Sequence, residues 1–409
     1  MSKENKDLIV GLDIGTSKIV ALVAEITEEG KLSVIGMGSQ ESHGLRKGVV
    51  VNIEETVSTI SRVVQEVELM ADCKVRDVYT GIAGSHIQSF NSDGMVAIKD
   101  KEVSPADVER VMETARARPL PVDQEILHTL RQEFVIDGQD GIREPIGMSG
   151  MRLEVKVHIV TGAVSAVQNL VKCVRRAGLK VNDIVLQPLA SSYAVLSEDE
   201  KDLGVCLIDI GGGTTDIAVW RQGAIRYTSM IPVAGDQVTS DIAMIFRTPT
   251  RDAEDLKCKY GYALKQLANP EDFLDVAGVD DRPSRTLSRL SLAEIIQPRI
   301  EELYELVQQK LRQAGFEEVL SSGIVLTGGA AVMPGMIELG EEIFHMSVRL
   351  GAPKYRGSLS DMVQNPRFAT AFGLLLEAQT QHKRGRKVSE KRSFKDVFSS
   401  MTSWFEKNF

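Results

Sequence analysis

LDIGTSKIVALV (Leu12–Val23) and IDIGGGTTDIAV (Ile208–Val219) decide the reading of this sequence. Each is an apolar run that ends in Asp-Ile-Gly, turns through small residues and becomes a second apolar run. Asp13 and Asp209 lie 196 residues apart, too far for a solenoid repeat, so the pair points to two similar α/β lobes. Working outward, residues 8–14, 18–26 and 32–38 read as strands with turn residues between them. Apolar positions 53, 57, 60, 63, 64, 67 and 70 then recur at helical period, and 75–83 returns to strand. A helix from near 164, a strand at 181–185 and a helix at 189–196 follow. The second copy reads as strands at 203–210, 214–220 and 224–231, a long helix at 292–314 and a strand at 323–327.

Two stretches interrupt this plan. Residues 85–162 separate a strand from the helix that should follow within a few residues. They contain a Ser104-Pro-Ala-Asp107 capping box and a strand at 152–160, which suggests a small inserted α+β domain. Residues 232–291 sit at the matching place in the second copy and read as mostly helical.

Composition excludes several classes. The chain has 409 residues, 43% of them hydrophobic and 26% charged, an ordinary globular balance. Its net charge of −9 offers no global field for nucleic acid. Cys73, Cys173, Cys206 and Cys258 have no metal-type or redox-type spacing and read as thiols in a reducing compartment. The start of the chain reads as no signal peptide, and no run of 18 apolar residues occurs. Residues 382–409 differ from the rest: eight basic against three acidic residues give +5, leaving −14 for the remainder.

The paired turns suit phosphate. Glycine allows a phosphate to approach backbone N–H groups closely, Ser and Thr add hydroxyls, and a carboxylate at the strand end sits where Mg²⁺ would bridge to phosphate. A third turn, Gly328-Gly329-Ala330, follows an apolar strand and could lie against adenosine. A single Asp-x-Gly turn is usually only a hairpin; two in equivalent places argue for more. Neither a GxxxxGK[ST] loop nor a GxGxxG fingerprint is present.

VGLDIGTSK, IDIGGGTTDIAVW and VLTGGAAVMPG resemble the phosphate-1, phosphate-2 and adenosine motifs of the actin, Hsp70 and sugar-kinase superfamily. VLQPLASSYAVL (185–196) and FATAFGLLLEA (368–378) resemble its two connecting helices. GDQVTSDIA from Gly235, AEDLKCKYG from Ala253 and the 85–162 insertion resemble, more narrowly, the FtsA family of bacterial cell-division proteins. The resemblance implies a two-lobed actin-like ATPase fold. Its first lobe would comprise 1–84, 163–197 and 360–381, and its second 198–231 and 292–359. The insertions at 85–162 and 232–291, a linker at 382–392 and an amphipathic helix at 393–409 complete it. It also implies ATP and Mg²⁺ between the lobes. Asp13 and Asp209 would face the metal, partly through water. Gly15, Thr16, Ser17 and Lys18 would form the first phosphate turn, and Gly211, Gly212, Gly213, Thr214 and Thr215 the second. Gly235, Asp236, Glu254 and Lys257 would approach ribose and base, and Gly328, Gly329 and Ala330 the adenosine. A plain turn at Gly235-Asp236 and an i, i+3 ion pair of Glu254 with Lys257 are the alternatives. Gln187 stands where Hsp70-like members carry Glu. An amide orients water without taking its proton, so hydrolysis is expected to be slow; the alternative is a strand cap.

Within 393–409, Phe394, Val397, Phe398, Met401, Trp404 and Phe405 form one helical stripe with basic flanks. That pattern fits a helix lying in an anionic membrane surface, or one docked on its own domain or on a partner. Half-burying the segment's five aromatics, Phe394, Phe398, Trp404, Phe405 and Phe409, is worth at most about 10 kcal/mol, offset by the cost of ordering the segment. One copy therefore binds weakly and a polymer firmly. By resemblance, the chain is a self-assembling adaptor that tethers filaments of tubulin-like FtsZ to the inner face of the cytoplasmic membrane. It would sit there as a peripheral protein at the division septum and recruit later division proteins. The alternatives are a pilus-type actin-like adaptor and an ATP-dependent small-molecule kinase with Asp216 or Asp236 as base.

Overall fold

The computed structural model describes residues 8–279 and 283–383. Two five-stranded sheets of identical topology carry the two lobes. In the first, Leu8–Ile14, Lys18–Ile26 and Leu32–Glu41 form an antiparallel meander, extended on the other side by parallel strands Asp77–Ile82 and Lys180–Leu186. In the second, Val205–Ile210, Thr215–Arg221 and Ala224–Ile231 form the meander, and Ile324–Thr327 and Val348–Leu350 add in parallel. The duplication read in the sequence is thus a duplication of strand order.

The two-residue period of a strand sorts the side chains into three cores. Val10, Leu12 and Ile14 face outward from the first sheet onto helix Ile53–Ala71, through Ile60, Val63 and Val67. Cys206, Ile208 and Ile210 face outward from the second sheet, toward helix Arg289–Gln313. The opposite faces, with Ile9, Val20 and Leu22 from one sheet and Val205, Leu207 and Trp220 from the other, share a central core with helices Gln187–Val195 and Ala369–Lys383. These two helices cross in contact: a Cβ on Gly373 would lie 1.8 Å from the Ala190 carbonyl oxygen. Glycine inside a helix costs roughly 1 kcal/mol relative to alanine, and here it permits the crossing.

The inserted domain leaves the first lobe after Asp77–Ile82 and returns in strand Arg152–Ala163. Its sheet has four strands, in the order Gln88–Ala97, Arg152–Ala163, Gln124–Ile136 and Gln139–Ile142, covered by helix Pro105–Arg116. The Ser104/Asp107 capping box forms in both directions: Ser104 Oγ accepts from the Asp107 N–H, and Asp107 Oδ2 accepts from the Ser104 N–H at 3.0 Å. In the second lobe, residues 232–291 depart from the mostly helical reading. Helices Gly235–Phe246 and Thr250–Tyr260 are followed by a hairpin, Phe273–Val276 with Arg285–Ser288. Its four-residue strands are too short to show a period in the sequence.

Candidate functional site

Strand parity places the acidic residues. Asp13 shares the face of Ile9 and Gly11, and Asp209 that of Val205 and Leu207, so both carboxylates point inward between the lobes. Both are held from one helix. Gln187 Nε2 donates to Asp13 Oδ1 at 3.0 Å. One turn on, Ser191 Oγ donates to Asp209 Oδ2 at 2.6 Å. Positions i and i+4 share a helix face, which is why a single helix reaches both lobes' carboxylates. Thr370 Oγ1, on the second connecting helix, lies 3.4 Å from Asp209 Oδ2 and 3.0 Å from Ser191 Oγ.

The two small-residue turns meet across the lobe boundary. Ser17 Oγ donates to Asp236 Oδ1 at 3.3 Å. A Cβ on Gly212 would fall 1.5 Å from Ser17 Oγ, and one on Gly213 within 2.7 Å of the Thr16 side chain. Gly211 N donates to Thr214 O, closing the second turn as Gly15 N does to Lys18 O in the first. Helix Gly235–Phe246 starts on the second turn, with Gly235 N donating to Gly211 O and Asp236 N to Gly212 O. Gly328, at φ +92°, closes on Asp209: a Cβ there would lie 2.4 Å from Oδ1. A Cβ on Gly235 would meet Gly211 O, Lys257 Nζ and Ala330 Cβ within 3.5 Å. The structure therefore brings Asp13, Gly15–Lys18, Gln187, Asp209, Gly211–Thr215, Gly235, Asp236, Lys257 and Gly328–Ala330 into one contiguous region. Lys257 is buried and donates to Gly235 O, Thr239 Oγ1 and Glu254 Oε2, so in this structure it ties two helices together. Residues Phe394, Val397, Phe398, Met401, Trp404 and Phe405 lie outside the described residues.

The electrostatics follow from burial. Asp13 is pushed up to about 7 by desolvation, with Lys18 opposing and the Asp209 charge adding. Asp209 is raised by burial too, held back by Ser191, Lys18 and Thr370. Asp216, paired across the strands from Asp209, is raised to about 8 by burial and by Asp209. Lys18 is lowered to about 8, mainly by burial, and donates to the Arg367 carbonyl. Inward-facing carboxylates thus outnumber the cation among them. That donor set, beside glycine turns that admit no Cβ, fits a hard divalent cation bound together with phosphate.

Sequence reasoning missed Ser191 and Thr370. The spacing Gln187–Ser191 within VLQPLASSYAVL was the available signal for the first; nothing local marks the second.

Comparison with known proteins agrees with this geometry. A family model described as cell division protein FtsA matches residues 206–373, and one described as the SHS2 domain inserted in FtsA matches 84–161. Cell division protein FtsA of Pseudomonas aeruginosa is 54% identical over 100% of both chains. That of Neisseria meningitidis is 50% identical over 97% of this chain and 98% of its own. Among solved structures, a PilM–PilN type IV pilus biogenesis complex covers 91% of this chain and 98% of its own at TM-score 0.66 and 19% identity. MreB5 of Spiroplasma citri bound to ADP covers 93% and 98% at TM-score 0.56 and 15% identity. Two lobes of one topology, an inserted domain matched at 84–161 and full-length identity of this order place the chain in the FtsA family of cell-division proteins, with an actin-like fold.

Proposed function

We propose that the chain binds ATP with Mg²⁺ between its lobes, assembles with copies of itself, and tethers FtsZ filaments to the cytoplasmic face of the cell membrane. It acts at the division septum as a peripheral protein and recruits later division proteins. The observation that carries this reading is the pair of carboxylate-bearing glycine turns facing each other across the lobe boundary. An apolar, aromatic stripe at Phe394, Val397, Phe398, Met401, Trp404 and Phe405 of the sequence, with basic flanks, supports the membrane part. No helix among the described residues is long and apolar enough to cross a membrane.

In this reading Asp13 and Asp209 hold Mg²⁺, partly through water. When bound, Mg²⁺ neutralises phosphate charge and fixes the phosphates to the carboxylates. Backbone N–H groups of Gly15–Lys18 and Gly211–Thr215 take the phosphates, with Lys18 as the fixed cation. Gly235, Asp236, Glu254 and Lys257 approach ribose and base, and Gly328–Ala330 the adenosine. Gln187 orients water but takes no proton from it, which makes hydrolysis slow and nucleotide chiefly a conformational ligand.

The test is co-sedimentation with vesicles containing anionic lipid, with and without Mg-ATP. The full chain is compared with one ending at Gln381 and with Trp404→Glu. The full chain is expected to pellet, more so with ATP as assembly adds avidity, and both variants to stay in the supernatant. A full chain that stays soluble in every condition overturns the membrane tether; a truncated chain that pellets equally moves the anchor elsewhere.

A further inference from the structure

Asp13 and Asp209 are equivalent by topology but are held differently. Asp13 has one side-chain donor, Gln187. Asp209 has two hydroxyls, from two helices far apart in the chain: Ser191, 18 residues before it, and Thr370, 161 after it. Ser191 is fully buried and Thr370 is 8% exposed. Each hydroxyl carries one hydrogen. With the Ser191 hydrogen committed to Asp209 at 2.6 Å, the 3.0 Å contact leaves Ser191 Oγ as acceptor of the Thr370 hydrogen. The result is a directed chain, Thr370 to Ser191 to carboxylate. It lies beside the point where Gly373 admits Ala190 and the two connecting helices cross.

Any change in the angle between the lobes has to pass through that crossing, because these two helices fill the core that both sheets share. Among the described residues, Asp209 is therefore the metal-side carboxylate linked to both helices, to the first through Ser191 and to the second through Thr370 by way of Ser191. We propose that Ser191 and Thr370 are positioning residues. Their hydroxyls aim the Asp209 carboxylate at a Mg²⁺-bound phosphate and link its occupancy to the crossing of the connecting helices. This rests on the nucleotide reading above. It assigns no chemistry to either residue: each acts through Asp209.

The arrangement separates metal-dependent from metal-independent binding. Loss of a charge-assisted hydrogen bond to a metal-facing carboxylate lowers metal affinity about 10- to 100-fold. Calorimetry of ATP binding to the full chain, in Mg²⁺ and in EDTA, is the measurement. Ser191→Ala is expected to weaken binding about tenfold in Mg²⁺ and to leave the EDTA value unchanged. Thr370→Val, which keeps the shape and removes the hydroxyl, is expected to follow with a smaller loss. Thr370→Ser, which restores a hydroxyl, is expected to recover most of it. A denaturation cycle without nucleotide, pairing Ser191→Ala with Asp209→Asn, is expected to be non-additive, since the two side chains touch.

Equal losses in Mg²⁺ and EDTA, failure of Thr370→Ser to recover, or an additive cycle would each overturn the proposal, the first by showing a merely structural role. A wild-type chain that binds no ATP in either buffer sinks the nucleotide reading and this inference with it. A binding wild type whose variants behave alike in both buffers sinks the inference alone.

Discussion

The two Asp-Ile-Gly turns share a backbone and differ in everything the backbone carries. In the first lobe the turn reads Gly15-Thr16-Ser17-Lys18, and the residue across the strands from Asp13 is Val20. In the second it reads Gly211-Gly212-Gly213-Thr214, and Asp216 faces Asp209. The first turn brings side chains and the cation; the second brings bare backbone and a further carboxyl. The difference is steric before it is chemical. Ser17 and Thr16 occupy the space that a Cβ on Gly212 or Gly213 would need, so one turn has side chains because the other has none. A duplicated lobe that kept both turns alike could not bring them this close.

The comparison breaks most visibly at the carboxylates. Asp209→Ala removes the group on which the Thr370-to-Ser191 chain ends and leaves the buried Ser191 hydroxyl without its carboxylate acceptor. The expected cost is about 3 kcal/mol of Mg-ATP binding or more, over roughly 100-fold. Calorimetry that returns an unchanged affinity would remove this cleft as the nucleotide site.

The steric claim is tested next. Gly212→Ala puts a methyl 1.5 Å from Ser17 Oγ and 2.8 Å from Asp236 Oδ1. Overpacking of this kind costs about 1–3 kcal/mol, read here as lost thermal stability and weaker nucleotide binding. The reverse exchange supplies the control: Ser17→Gly in the same chain removes the obstructing hydroxyl and is expected to return most of the loss. If the double variant stays as impaired as Gly212→Ala alone, the complementarity of the two turns is wrong.

Much of this was legible in the sequence because it depends on period two. Once 8–14 and 205–210 are strands, Asp13 and Asp209 must share a face with Ile9 and Leu207, and the only question is which face looks inward. The helix at 53–71 covers the other one. The partners of the carboxylates were not legible. Ser191 is one of several small residues on a mostly buried helix, where Gln187 at i−4 is the one weak pointer to it, and Thr370 meets Asp209 across 161 residues. The inserted sheet was half visible for a related reason. Strand Arg152–Ala163 is buried along most of its length and reads as apolar, whereas Gln88–Ala97 is largely exposed and its polar residues hide the alternation.

The lobes also differ in how they hold the inserted domain, and this gives the smallest effect. The domain is covalently part of the first lobe, which it meets through His128, whose Nε2 accepts the Leu186 N–H at 3.0 Å. The second lobe holds it by side chains alone. Gln132 Nε2 donates to Ile225 O at 2.9 Å, Ser89 Oγ donates to Thr228 O, and His158 lies between Asn91 and Thr228. Gln132 Nε2 also donates to Asn91 Oδ1, at 3.2 Å, and Asn91 Nδ2 donates to Arg226 O, so Oδ1 is the acceptor end of Asn91. His158 then carries its hydrogen on Nδ1, and its Nε2 accepts from the Thr228 hydroxyl. Protonation would destroy that acceptor, and burial lowers His158 to about 4 from an ordinary 6.5. A histidine whose folded value is depressed binds fewer protons folded than unfolded, so its contribution is complete above 6.5 and is lost as pH falls toward 4. Between pH 8 and pH 6 the His158 share is a loss of about 1 kcal/mol, read by chemical denaturation of the full chain as the difference between the wild type and a variant without this ring. His158→Gln keeps polar contacts without a titrating ring and is expected to flatten most of that slope. The remainder belongs to the other groups whose folded values are displaced: His128 and His86, lowered by burial, and Asp13, Asp216 and Lys18 of the cleft, the two raised carboxyls acting with the opposite sign. A variant as pH-dependent as the wild type over this interval would mean that the contact with the second lobe does not depend on a neutral His158.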